Sequence, residues 1–149
     1  MIRVRLVEER DADAIMALFR AHCEEFAAHL GFDEAKARAA LDRSLTKGDP
    51  VCFVAETGGE IVGYITGRIC EYPYSAGHFV QQELLFVRPC NRGTRAAVKL
   101  IREFVEWGSI VKAREWFAGT STGYKPERVA RLFALCGGRV AGYSVRGVY

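Results

Sequence analysis

No long apolar run occurs in this chain. None of its 149 residues belongs to anything near the roughly 20-residue apolar stretch that spans a bilayer. The opening Met1-Ile2-Arg3-Val4-Arg5 lacks the apolar centre of a secretory signal. A cytoplasmic protein with no membrane partner is therefore expected. Charge of one sign is equally scarce. The net formal charge is +3, with acids and bases interleaved, too mild a balance for a nucleic-acid surface. The three histidines, His22, His29 and His78, do not form a metal set. The five cysteines are scattered and contain no Cys-x-x-Cys pair. Neither a metal site nor a disulfide framework is expected. Linkers, repeats and low-complexity segments are also missing, which leaves one domain over residues 1–149.

What is present is an alternation of strand and helix spacing. Ile2, Val4 and Leu6 alternate with Arg3 and Arg5. Asp11 or Asp13 caps a helix whose apolar face carries Ile15, Leu18, Phe19, His22 and Phe26; on that face His22 reads as a satisfied core histidine. Gly31 breaks this helix, and a second, Ala-rich one runs from Asp33 to about Leu45. Strand patterns follow at residues 51–57 and 60–71, joined by the hairpin signal Gly58-Gly59, and at residues 79–87. In the last of these, strict alternation predicts one face with Phe79, Gln81, Glu83, Leu85 and Val87, and the other with Val80, Gln82, Leu84 and Phe86. A third helix is predicted from Thr94 to about Trp107, a fifth strand over residues 115–121, and a fourth helix from Pro126 to Gly137-Gly138. Residues 139–149 supply one or two closing strands. The fold class is therefore α/β (α+β): a mixed central sheet of six or seven strands with about four helices on both faces.

The organising stretch is residues 84–97. A buried strand enters a tight turn with Arg92 and Gly93, and a helix opens at small residues, Ala96 and Ala97. Such a junction aims free backbone N–H groups at one point, backed by the positive end of the helix dipole. Phosphate or pyrophosphate is the usual guest. A basic cluster, Arg88, Arg92, Arg95 and Lys99, surrounds the turn and fits a small polyanion better than a duplex.

Element order and turn together resemble the GNAT acyltransferase superfamily, along nearly the whole chain. The most specific block is Val87-x-Pro89 followed by Arg92-Gly93-x-x-x-Ala97, similar to the family's Val-x-Pro and Arg/Gln-x-x-Gly-x-Gly/Ala signature. Ile61-Val62-Gly63-Tyr64 and residues 130–138 resemble two further blocks. The resemblance implies a mostly antiparallel sheet and an acetyl-coenzyme A co-substrate without a metal. Its pyrophosphate would lie on the amides of Arg92, Gly93, Thr94, Arg95, Ala96 and Ala97. Its pantetheine arm would lie along the backbone of Leu85, Phe86 and Val87, where strands four and five splay. It also implies transfer of an acetyl group to a small-molecule or peptide amine by direct attack in a ternary complex, and a homodimer. Glu83 stands where some members carry an acidic residue near the amine and is the expected general base. Three positions depart from the pattern, one of them Glu127, where the family often has an asparagine that starts the fourth helix and touches the cofactor. Arg95 occupies the signature's fourth position, normally Gly, and its guanidinium is expected to replace part of the phosphate contact. Phe133 replaces the tyrosine that many members use to protonate the thiolate, which makes Tyr124 the nearest hydroxyl for a general acid, with Ser121 and Tyr143 behind it. Glu24, Glu25, Tyr72 and Tyr74 would line the acceptor side, with His78 within reach of it, and suit a cationic amine. These departures motivate an alternative, a non-catalytic acyl-coenzyme-A-binding module of the same fold.

Overall fold

Residues 51–55 send Val51, Phe53 and Ala55 to one side of a strand and Cys52 and Val54 to the other, and all five are buried. A strand apolar on both faces needs a layer over each. That is the architecture of the computed structural model, which describes residues 1–120 and 122–149. Strands β1 (Arg3–Leu6), β2 (Val51–Thr57), β3 (Glu60–Glu71), β4 (His78–Val87) and β5 (Trp116–Phe117) form one sheet in sequence order. The first four pair antiparallel and β5 runs parallel to β4. Helices α1 (Ala12–Phe26) and α2 (Glu34–Lys47) cover one face, around Ile15, Leu18, Leu41, Tyr64 and Phe86. Helices α3 (Ala96–Ile110) and α4 (Pro126–Leu135) cover the other, around Leu100, Ile101, Phe104 and Phe133. Each such side chain removed from water contributes about 1.5–3 kcal/mol. Among the described residues no helix is long and apolar enough to cross a membrane.

The helix signals work with one exception. Asp33 caps α2 by accepting the Lys36 N–H at 2.9 Å. Asp11 begins α1 without a side-chain cap. Its buried carboxylate instead accepts two bonds from Arg5, at 2.7 and 3.0 Å, and the Glu8 N–H at 2.8 Å. The arginine holds that carboxyl below its ordinary range and ties β1 to the start of α1.

Three strand expectations are corrected. First, the register of β3 on β4 passes from Gly67↔Gln82 to Thr66↔Leu84, so Glu83 is an extra residue, a β-bulge. The Thr66 hydroxyl accepts the Leu84 N–H there at 3.2 Å. Strict alternation is lost: Val80, Leu85 and Val87 all pack toward α3, and Phe86 packs toward α1. Second, the fifth strand has two residues where seven are expected, and Ser121 lies outside the described residues. Third, residues 139–149 form no strand, so the described sheet has five strands and not six or seven. Val140, Tyr143, Val145 and Val148 are exposed. Alternation without a face to bury does not hold a strand in place.

Candidate active site

The short fifth strand creates the site. β5 meets β4 only at Val80↔Trp116 and Gln81↔Phe117. One step further the buried Gln82 side chain, not the β4 backbone, accepts the Gly119 N–H at 3.3 Å. Beyond that point the two segments diverge, and a cleft of about 350 Å³ opens between residues 82–87, the turn after β4, Gly119, Thr120, Thr122, Tyr124, Lys125 and the start of α4. Leu85, Phe86 and Val87 lie along it, as do Glu83 and Tyr124.

The turn after β4 forms the floor of this cleft. Gly93 sits at φ +85°, a left-handed conformation that strains any residue with a Cβ. Among the described residues the amides of Gly93, Thr94, Arg95 and Ala97 make no intramolecular hydrogen bond. The amides of Arg92 and Ala96, expected to join them, are taken by Pro89 O and Thr94 Oγ1, each at 3.3 Å. Arg95 adopts φ −80° and ψ 1°. No glycine is required at that signature position, because the left-handed residue is two places earlier.

Arg92 has a different use from the expected one. Its guanidinium donates to both carboxylate oxygens of Glu25, at 2.5 and 2.6 Å, and its Nε to Val87 O at 2.9 Å. The rings of Phe86 and Tyr124 lie 5.3 and 5.0 Å from it. Those bonds raise its pKa, Glu25 being the main cause. The side chain is a strut joining the end of α1, the end of β4 and the approach to α4. The rest of the expected basic cluster disperses: Arg88 pairs with Glu60 at 2.9 Å, and Lys99 donates to Ile2 O at 2.8 Å. The cations that do line the cleft beside Arg92 are Lys125 and Arg128. Sequence reasoning missed both. Their only signal was their place at the first turn of a helix that follows the splayed strand.

A second, larger cleft of about 720 Å³ lies on the α1–α2 side and shares His22, Phe26, Glu83, Leu84 and Thr122 with the first. Glu83 thus faces both clefts from its bulge. It is ion-paired with Arg68 of β3. His22, expected as a core residue, is both core and site. Its ring stacks on Phe86 at 4.9 Å, and its Nδ1 lies 2.5 Å from the Tyr64 hydroxyl. The fully buried Tyr64 has no other acceptor among the described residues, so its O–H donates to Nδ1 and the proton of the neutral ring sits on Nε2. Burial lowers the His22 pKa to about 4 and raises that of Tyr64.

Several expected residues lie elsewhere. Phe133 packs on Trp116 in the core. Tyr72 donates to Glu115 at 2.6 Å, Tyr74 is exposed, and His78 Nε2 bonds Val111 O at 2.7 Å. Tyr143 is exposed and lines neither cleft. Glu24 faces a separate surface depression with Arg20 and Arg38.

The sequence profile described as the acetyltransferase (GNAT) family matches residues 13–137. A search of curated proteins finds no match. Among solved structures, similarity extends over the whole chain. A ribosomal-protein-alanine N-acetyltransferase from Brucella melitensis biovar Abortus 2308 superposes with a TM-score of 0.76 at 17% identity, covering 100% of this chain and 99% of that one. AAC(6')-Iy, in complex with the bisubstrate analog CoA-S-monomethyl-acetylneamine, gives 0.75 at 20% identity over 99% of both chains. An aminoglycoside acetyltransferase, meta-AAC0020, from an uncultured soil metagenomic sample gives 0.75 at 18% identity, covering 99% of this chain and 95% of its own. At these identities the likeness establishes the fold.

Proposed function

The chain belongs to the acetyltransferase (GNAT) family, and from that premise we propose that it transfers an acetyl group from acetyl-coenzyme A to a primary amine in a ternary complex. The observation that carries this reading is the row of amides at Gly93, Thr94 and Ala97, which make no hydrogen bond among the described residues and belong to residues lining a cleft with Lys125 and Arg128. Backbone donors at a helix start, with two lysine or arginine side chains beside them, fit a diphosphate. A side chain at position 93 would strain the turn and approach Arg128, whose Nη2 lies 3.9 Å from where a Cβ would stand. Leu85, Phe86 and Val87 leave the edge of β4 without a strand neighbour, which suits an extended, amide-bearing arm.

Acetyl-coenzyme A supplies the activated acyl group: a C–N bond forms to the amine, the C–S bond breaks, and the thiolate takes up a proton. The protein's part is orientation, polarisation by a β4 amide and proton management. Glu83, at the junction of the two clefts, receives the proton of the acceptor ammonium. Tyr124, whose ring lies against Phe26 and the Arg92 guanidinium, supplies a hydroxyl on the coenzyme side.

The test is direct. Acetyl-coenzyme A at about 100 times its dissociation constant contributes about 2.7 kcal/mol and moves the melting temperature up by roughly 5–10 °C. Gly93→Val removes most of that shift while leaving a cooperative melt. Thiol release in the presence of an amine panel completes the assignment. A shift without thiol release on any amine would instead identify a coenzyme-binding module.

A further inference from the structure

The larger cleft has a chemical character that its place in the family does not dictate. Its walls are aromatic and aliphatic, with Phe19, Phe26, Phe32 and Tyr149 among the lining residues. Glu83 is its sole lining residue with a carboxylate side chain, and Arg68 is already paired to it. The remaining charged side chain on the wall is Arg146, which donates to His29 Nε2 at 3.3 Å. The acids expected to line this side are turned away: Glu25 is held by Arg92, and Glu24 faces the outer depression. One carboxylate therefore faces two guanidinium groups, and the wall carries no excess of negative charge.

We propose that the acceptor is a primary amine with a single positive charge on an apolar body of aromatic size, and not a polycation. This rests on the acetyl-transfer reading above. A polycation needs several carboxylates to replace the water it gives up, and like charges across a contact cost several kcal/mol. Here each additional ammonium would meet either aromatic carbon or an arginine. A single ammonium beside aromatic faces keeps a favourable environment, and the apolar body buries itself against Phe19 and Phe32. On reaction the amine's proton passes to Glu83, the nitrogen bonds the acetyl carbon, and the sulfur departs and is protonated. The aminoglycoside acetyltransferases that share this fold are named for a different acceptor class.

The experiment compares thiol release from acetyl-coenzyme A with 2-phenylethylamine, tryptamine and hexylamine against neamine, sisomicin and spermine. The monoamines are expected to exceed the polycations in kcat/KM by at least about tenfold, which is 1.4 kcal/mol of discrimination. Phe32→Ala should raise KM for 2-phenylethylamine several-fold with little change in kcat. Ala37→Glu, which adds a carboxylate to the α2 wall, should move the preference toward spermine by about tenfold; Ala40→Glu repeats this from a neighbouring position if the first variant melts early. Polycations ahead of the monoamines in the wild-type protein would overturn the inference and leave acetyl transfer standing. No thiol release with any amine, despite a coenzyme-induced thermal shift, would remove the acetyl-transfer reading and this inference with it.

Discussion

His22 is packed between Phe86 and Tyr64, faces two clefts, and stays neutral down to about pH 4. A free histidine titrates near 6.5, so in the pH range between these values the unfolded chain binds a proton that the folded chain refuses. Stability is fully present above pH 6.5 and falls as pH drops toward 4, by roughly 3 kcal/mol in total. Urea unfolding at pH 7 and pH 4 checks this: His22→Gln should flatten the slope across that window, whatever its stability at pH 7. Asp11 acts in a different window. Its carboxyl is lowered by Arg5, so its stabilisation is present above its usual value of 3.8 and is lost below it, where His22 no longer contributes. Glu83 gives the kinetic counterpart. If it takes the acceptor's proton, Glu83→Gln lowers turnover at neutral pH about a hundredfold and changes coenzyme A affinity less than twofold. Equal turnover in the two proteins would move the proton to water.

Arg92 shows what an element needs to keep its place. It fastens the turn before α3 to the end of α1 through Glu25 and to β4 through Val87 O. Glu25 does not line the smaller cleft. Arg92→Lys loses the two-pronged contact and should cost about 1–2 kcal/mol of stability. Glu25→Gln should weaken coenzyme A binding by a similar factor to Arg92→Lys, with the double variant no worse than either alone. Isothermal titration decides the matter, because an arginine acting on phosphate directly would bind more tightly once Glu25 stopped competing for it. Elements of this kind were only partly legible in the sequence. The helices were, since α1, α3 and α4 each carry an apolar stripe and α2 carries its Asp33 cap. Gly93 and the order of the first nine elements were legible for the same local reasons. The bulge at Glu83 was not, because it depends on which β3 residue faces β4. Lys125 and Arg128 were not, because they reach the turn from a helix some thirty residues later. The closing strands expected at residues 139–149 failed because alternation says nothing about whether a face exists to cover it.

At the scale of the whole molecule, β4 belongs to both cores: Val80 and Val87 to the α3–α4 side, Phe86 to the α1–α2 side. The last residues of this strand are consequently clamped from above and below, while its β5 edge is open. Gly63 keeps that clamp tight, since a Cβ there would lie 2.7 Å from Phe86 O. The rigid part of the protein is therefore one wall of the smaller cleft, and the opposite wall is Gly119, Thr120, Thr122, Tyr124, Lys125 and the first turn of α4, held by Gln82 and by Phe133 on Trp116. Among the described residues few backbone bonds secure that second wall, which places it among the segments that open locally at low cost. Hydrogen exchange should then be faster at residues 119–129 than in β2 and β3. Adding coenzyme A should slow exchange at residues 93–98 and 119–129 by about tenfold or more, because ligand binding stabilises the closed arrangement by mass action. Amides in β1 and β2, which form neither wall, should keep their rates. Protection confined to residues 93–98 would mean that the coenzyme leans on the clamped wall alone, and that α4 takes no part in holding it.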